Sequence, residues 1–444
     1  MDKRRIAIIG SGISGLSAAW LLRQRHHVTL FEAEWRLGGH SNTVLVSEPD
    51  RQVAVDTGFM VFNRPNYPLL TRLFDELGVA SYPTDMSFSV SLDQGALEYA
   101  GSNLRTLFAQ RRNLWRPGFL RMLADVLRFN RLAARLLQQE APSNEPLQRF
   151  LDRHHLGRAF RDHYLYPMAA AIWSCPRERI ADFPAVSFAR FFANHGLINL
   201  SGRPQWQTPL GGAATYVRRM AADLGERVLP GHPVTEVRRQ AQGMAVYAAG
   251  QPARHFDEVV FACHPDQALR MFSDATPSEA ALLRSVPYQN NHVLLHSDAA
   301  LMPQRREVWS SWNYAGSSRA SGEDAVSVSY WMNSLQRLDT QTDYFVSLNP
   351  LREPRPDKVV AEFEYRHPVF DSDSLALPRL LDAVQGRDRA WFCGAWTGYG
   401  FHEDGLRSGV QVAEALGASL PWQQQLDASQ ALVLPFPERR ERAA

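Results

Sequence analysis

Lysine is almost missing from this sequence. Lys3 and Lys358 are the two in 444 residues, so arginine carries the positive charge, and chemistry that needs a lysine amine has two candidates outside any recognisable motif. Cysteine is as scarce. Cys175, Cys263 and Cys393 lie far apart and form no CxxC pair, which argues against a disulfide framework or a zinc site and fits a reducing compartment. No metal site is expected. No apolar run approaches the eighteen or so residues that span a bilayer. The apolar start Ile6 to Ile9 runs into glycines rather than a cleavage site, so a cytoplasmic chain without a cleaved leader is expected. The net charge of +2 gives no reason to expect a nucleic-acid partner.

What is present is the composition of a folded protein, 45% hydrophobic and 21% charged, in a chain too long for one ordinary core. Two domains are expected. Arg5 to Ile9 reads as a strand, residues 10 to 15 as a glycine turn, Leu16 to Arg25 as a helix and His27 to Glu32 as a second strand, a βαβ unit. Residues 66 to about 201 read as mostly helical, and strand-like alternation returns at 234–237, 244–248 and 258–262. Ala390 to Cys393 gives a last strand before another glycine turn and helix.

Gly10-Ser11-Gly12-Ile13-Ser14-Gly15 follows a strand and opens a helix, so backbone NH groups and the positive helix end face one point. That suits a pyrophosphate. Gly10 permits the tight turn, Gly12 lets phosphates approach the backbone, and Gly15 lets the helix lie close to the strand. Glu32 ends the second strand, where a carboxylate can accept bonds from ribose hydroxyls. The motif alone leaves NAD and FAD both open. No second GxGxxG follows another strand, so no separate NADPH site is expected.

Glu32-Ala33-Glu34-Trp35-Arg36-Leu37-Gly38-Gly39 resembles the second fingerprint of the flavin amine oxidase superfamily, which includes monoamine oxidases, protoporphyrinogen oxidases and carotenoid desaturases. Asp56-Thr57-Gly58-Phe59 resembles the segment passing the flavin ring, Thr208 to Gly212 the re-entry into the FAD domain, and Val234 the residue whose backbone contacts adenine. Trp391 to Ala395 and Gly400 to Gly409 resemble the turn that meets the flavin pyrimidine edge and ribityl chain. The resemblance implies an α/β, amine-oxidase-like fold. A Rossmann-like, glutathione-reductase-like FAD domain would be assembled from 1–66, 202–275 and 385–430, an α+β substrate domain from 67–201 and 276–384, and a loose tail from 431–444. It also implies non-covalent FAD held by Gly10, Gly12, Ser14, Gly15, Glu32, Ala33, Arg36, Gly38, Gly39, His40, Thr57, Gly58, Phe59, Val234, Gly394, Phe401, His402, Glu403 and Gly405.

The departures are informative. His40 stands where the family usually has arginine, and Ala395 where an acid often follows the glycine. The lysine that amine oxidases place near flavin N5 is missing, since the corresponding region reads Tyr288-Gln289-Asn290-Asn291-His292, which turns the expectation away from an ordinary amine oxidase. Residues 39–43, 56–63, Tyr166-Pro167-Met168 and Ala171-Ile172-Trp173 are similar to bacterial FAD proteins encoded near cyclopropane fatty acid synthases, a relative of which desaturates methylated fatty acyl chains. That likeness implies hydride removal from an apolar, fatty acyl substrate to leave a double bond, with oxygen or a carrier as electron acceptor. A carotenoid- or porphyrinogen-type oxidase, an amine oxidase, and a non-catalytic flavin- or lipid-binding partner of a methyltransferase stay open.

His402 and His292 are the candidate proton carriers, because imidazole titrates near neutrality, and Tyr399 and Trp396 are the candidate aromatic walls against flavin or substrate. Arg105 to Arg135 holds eight arginines against one acid, Asp125, interleaved with apolar residues at helical spacing. Such a helix offers either a solvated face or a peripheral contact with anionic lipid at the inner membrane.

Overall fold

In the computed structural model, which describes residues 3–139, 145–173, 177–198, 202–317, 327–370 and 373–423, the aliphatic run Arg5–Ile9 is the middle strand of a five-stranded parallel sheet. His27–Phe31 and Val228–Leu229 flank it on one side, Glu258–Phe261 and Ala390–Phe392 on the other. Cys175 and the tail 431–444 lie outside the described residues. The first helix spans Ile13–Leu22, three residues earlier than the sequence suggests, because Gly12 already takes the N-cap position in an extended conformation. Gly15 therefore sits in the first helical turn, where a Cβ would collide with the Gly10 carbonyl.

The C-terminal helix His402–Ala415 lies along the first helix. A Cβ at Gly405 would meet Ile13 and Ser14, and one at Gly409 the Ser14 carbonyl and Ser17, so two small-residue faces let the backbones approach. Both glycine turns thus open at the C-terminal ends of the parallel strands, the edge where open α/β sheets bind ligands.

A seven-stranded sheet stands apart from the parallel one. Its order is Val359–Pro368, Tyr288–His296, Phe345–Leu348, Ser327–Trp331, Trp312–Gly316, Phe88–Leu92, Leu97–Ala100. The last two strands correct the mostly helical reading of residues 66–201. Phe88–Leu92 pairs in parallel with Trp312–Gly316, a distant partner, and turns into Leu97–Ala100 through Asp93, Gln94 and Gly95, all at positive φ.

Ser81–Thr84, paired with Trp206–Pro209, is a further strand there, and the helical reading holds for most of the other described residues of that stretch. Pro117–Leu137 buries Phe119, Met122, Phe129, Ala133 and Leu136 on one face, and Phe129 meets Phe150, Phe160, Phe188 and Phe192. A wider, π-helical turn at Arg161–Leu165 leads into Tyr166–Trp173. Among the described residues no helix is long and apolar enough to cross a membrane.

Candidate active site

The first glycine turn is braced from one side and open on the other. Glu32 accepts from the backbone NH and hydroxyl of Ser11 (2.9 and 2.6 Å) and from the NH of Glu34 (3.0 Å). Gly38 donates to the Ser11 carbonyl, while Arg36 reaches back to the Gly39 carbonyl at 2.8 Å, which fixes the diglycine against the turn. A Cβ built on Gly39 would approach only Gly12, and one built on Gly12 would meet nothing within 4 Å. The open space lies in front of a helix N-terminus, so a dinucleotide diphosphate fits there sterically and electrostatically. Leu229, Gly231 and His232 bond to the backbone of Glu32 and Glu34, which brings the start of the strand Val234–Gln240 alongside Glu32.

From that turn the chain leads into a cavity of about 280 Å³. Its inner end is formed by His40, Thr57, Gly58, Phe59, Phe401 and His402, residues of both flavin-like segments. His40 and Phe59 are locked together, since the Phe59 NH donates to the His40 carbonyl at 2.8 Å and a Cβ on Gly58 would strike that carbonyl. His402 stacks on Phe59 with ring centroids 3.8 Å apart, and its Nε2 shares a hydrogen bond with the Tyr216 hydroxyl (2.9 Å), which bonds Ser41 at 2.5 Å. The outer walls are apolar: Met168, Ile172 and Trp173 from the helix after the π turn, Phe88, Trp312 and Tyr330 from the large sheet, and Met86 just before the strand Phe88–Leu92. Among the described residues no Asp, Glu, Lys or Arg lines it.

Three further residues, two at the inner end and one beside it, escaped the sequence reading. Tyr365 and His367 lie two apart on the edge strand Val359–Pro368, so they share a face. The Tyr365 hydroxyl is held by Asn42 (2.8 Å) and Thr57 (2.7 Å). His264 follows the strand Glu258–Phe261, a sheet-edge position that could have flagged it. The ring centroids of His367 and His264 lie 5.2 and 6.4 Å from that of His40, whose buried Nε2 has no hydrogen-bond partner among the described residues. Desolvation holds the cavity imidazoles low, His40 and His195 to about 4 and His367 and His402 to about 3, and does the same to the neighbouring His264, to about 3. They are neutral at pH 7.

Several expected residues are placed elsewhere. His292 does not reach the cavity; its Nε2 bonds Glu362 at 2.8 Å on the outer face of the sheet, and the neighbouring Asn291 faces inward. Glu403 turns its carboxylate to the backbone NH groups of Leu69 and Leu70 (2.9 and 3.0 Å), so its side chain caps the helix Pro68–Leu77 instead of meeting a ligand. Burial nevertheless raises it to about 7. Trp396 is in the core and not on the cavity wall, whereas Tyr399 lines the cavity. The Gly394 NH donates to Ser408, and Ser14 and Gly405 meet at the helix–helix contact. Ala33 is exposed beside Glu32.

AofH of Mycobacterium tuberculosis, named as a flavin-containing monoamine oxidase, is 28% identical over 254 residues, covering 54% of this chain and 53% of that protein. The chain thus spans about half the length of the curated relatives it matches. Among solved structures, the cyclohexylamine oxidase of Brevibacterium oxydans IH-35A superposes with a TM-score of 0.66 at 16% identity, over 96% of this chain and all of its own (100%). The CLA-producing fatty acid isomerase of P. acnes gives 0.67 at 16% identity, over 93% of this chain and 98% of its own. At these identities the structures share the fold. The family model described as flavin containing amine oxidoreductase matches residues 13–310, and the chain belongs to that family of FAD-dependent oxidoreductases.

Proposed function

We propose that the chain uses FAD to oxidise an apolar substrate, a methylated or unsaturated fatty acyl chain, to leave a carbon–carbon double bond. The observation that carries this reading is the cavity wall. Methionine, isoleucine, phenylalanine and tryptophan line it, with no charged side chain among the described residues, and an alkylammonium would lose its hydration there with no carboxylate from them in compensation. Bound FAD would supply two-electron, hydride-accepting chemistry. In this reading Gly10, Gly12 and Gly39 carry the diphosphate, with Glu32 and Val234 beside the adenosine end. Thr57, Gly58, Phe59, Phe401 and His402 border the flavin ring. The FAD part comprises 1–66, 202–275 and 385–430, and the substrate part 67–201 and 276–384. The chain's own task is to orient a carbon at the inner end and exclude water.

Access from an anionic membrane belongs to the same reading. Arg121, Arg131 and Arg135 are exposed and make no ion pair among the described residues, while Arg128 is tied to Asp125 at 3.1 Å. Around them Leu114, Trp115, Leu120 and Leu127 are exposed, Trp115 at 85%. Unpaired arginines beside a bare tryptophan suit a lipid interface, at about 1 kcal/mol per engaged arginine. Anaerobic mixing tests the substrate: long-chain unsaturated lipid should bleach the flavin absorbance and simple primary amines should not. The reverse result replaces this reading with amine oxidation. Binding to anionic vesicles should fall with salt and on neutralising Arg121, Arg131 and Arg135; indifference to vesicles removes the membrane part alone.

A further inference from the structure

The nitrogen at which His367 carries its proton follows from a chain of hydrogen bonds that starts at the backbone. The NH of His292 can only donate, and it donates to Asn349 at 2.9 Å, so the acceptor is the Asn349 Oδ1. The Asn349 amide nitrogen then points to Asn291 at 2.8 Å, which makes that atom the Asn291 Oδ1. The Asn291 nitrogen is left facing Nδ1 of His367 at 2.9 Å, and it also lies 3.4 Å from the Gln289 carbonyl, consistent with a donor. Nδ1 of His367 must therefore accept. In a neutral ring the proton is then on Nε2, which has no partner among the described residues, on a ring that lines the cavity beside His40.

We propose that His367 is a fixed, neutral hydrogen-bond donor to the bound flavin ring, a catalytic residue that favours electron density on its acceptor and cannot serve as a base. Asn291 and Asn349 are positioning residues that set its tautomer. The assignment rests on the FAD reading above, and on His40, Thr57 and Gly58 of the flavin-like segment sharing the inner end with His367. A donor whose proton is held in place costs no reorganisation as negative charge develops, the usual basis of electrostatic stabilisation. Desolvation keeps the ring from becoming an imidazolium, so the donor stays the same across the neutral range.

Histidine-ring nitrogen NMR on the FAD-loaded protein tests the tautomer directly. His367 should show protonated Nε2 and unprotonated Nδ1 throughout pH 6 to 8, and Asn291→Leu should release it into a tautomer mixture. An Nδ1-protonated ring, or an imidazolium at pH 7, overturns the proposal. The target is read from the flavin reduction potential: His367→Leu should shift it downward, and His367→Gln, which keeps an NH near the Nε2 position, should restore most of the shift. Flavin bound normally with an unmoved potential in His367→Leu overturns this inference alone, whereas a chain that binds no FAD overturns the functional reading beneath it.

Discussion

Gly12 and Gly15 lie three residues apart and meet opposite surroundings. Gly15 faces the Gly10 carbonyl and Ala262, so Gly15→Ala must push the helix off the sheet, with a cost of about 1–3 kcal/mol in unfolding free energy. Gly12 has an ordinary φ of −62° and empty space where a Cβ would go. Gly12→Ala should therefore leave the apoprotein folded, and about 0.4–1 kcal/mol more stable because the unfolded chain loses freedom. The same methyl would stand in the path proposed for the diphosphate. Crowding of about 1–3 kcal/mol corresponds to a roughly five- to 150-fold rise in the Kd for FAD. Urea unfolding of the two apoproteins and fluorescence titration with FAD check the pair. Unchanged FAD affinity in Gly12→Ala would show that this space is not the cofactor's.

Secondary elements carry the lesson of what local pattern can disclose. The βαβ unit and the C-terminal glycine turn are legible because each is a short stretch whose glycines, apolar runs and terminal acid speak for themselves. The strand Phe88–Leu92 alternates as a strand should, yet its partner Trp312–Gly316 is remote in sequence, and such pairing leaves no local trace. His292 is wrong by one residue. In a strand, adjacent side chains face opposite ways, so the inward position belongs to Asn291 and the histidine points to Glu362. Glu403 was visible as part of a flavin-like turn, but its use as a cap for Pro68–Leu77 depends on where two distant helices meet. Removing it strands a buried donor at Leu70 and a half-buried one at Leu69, so Glu403→Ala should destabilise the fold by about 1–3 kcal/mol and speed hydrogen exchange at both amides. Glu403→Gln keeps an acceptor and should lose less. Unchanged exchange at both amides in the alanine variant would disprove the cap.

At the scale of the whole molecule, the buried ionisable groups set the response to acid. His40, His195 and His296 are held near 4, and His264, His367 and His402 near 3, all chiefly by desolvation, against about 6.5 when unfolded. Between those values the unfolded chain binds protons that the folded chain refuses, so these six groups make stability fall as pH drops below 6.5. Asp56 and Glu403 act in the opposite sense. Burial raises both to about 7, so the folded chain takes up protons first and gains stability as pH falls from 7 toward their unfolded values. Six groups against two leave an excess of up to about four protons on the unfolded side, a slope of at most about 5.5 kcal/mol per pH unit between pH 6 and 4.5. Urea midpoints at pH 6.5, 5.5 and 4.5 should drop steeply in that order. His264→Asn should flatten the slope by about one proton, near 1.4 kcal/mol per unit, while leaving Asp56 and Glu403 to act as before. Stability that holds level or rises across this window would mean that the imidazoles at the inner end of the cavity are hydrated and titrate as they do in water.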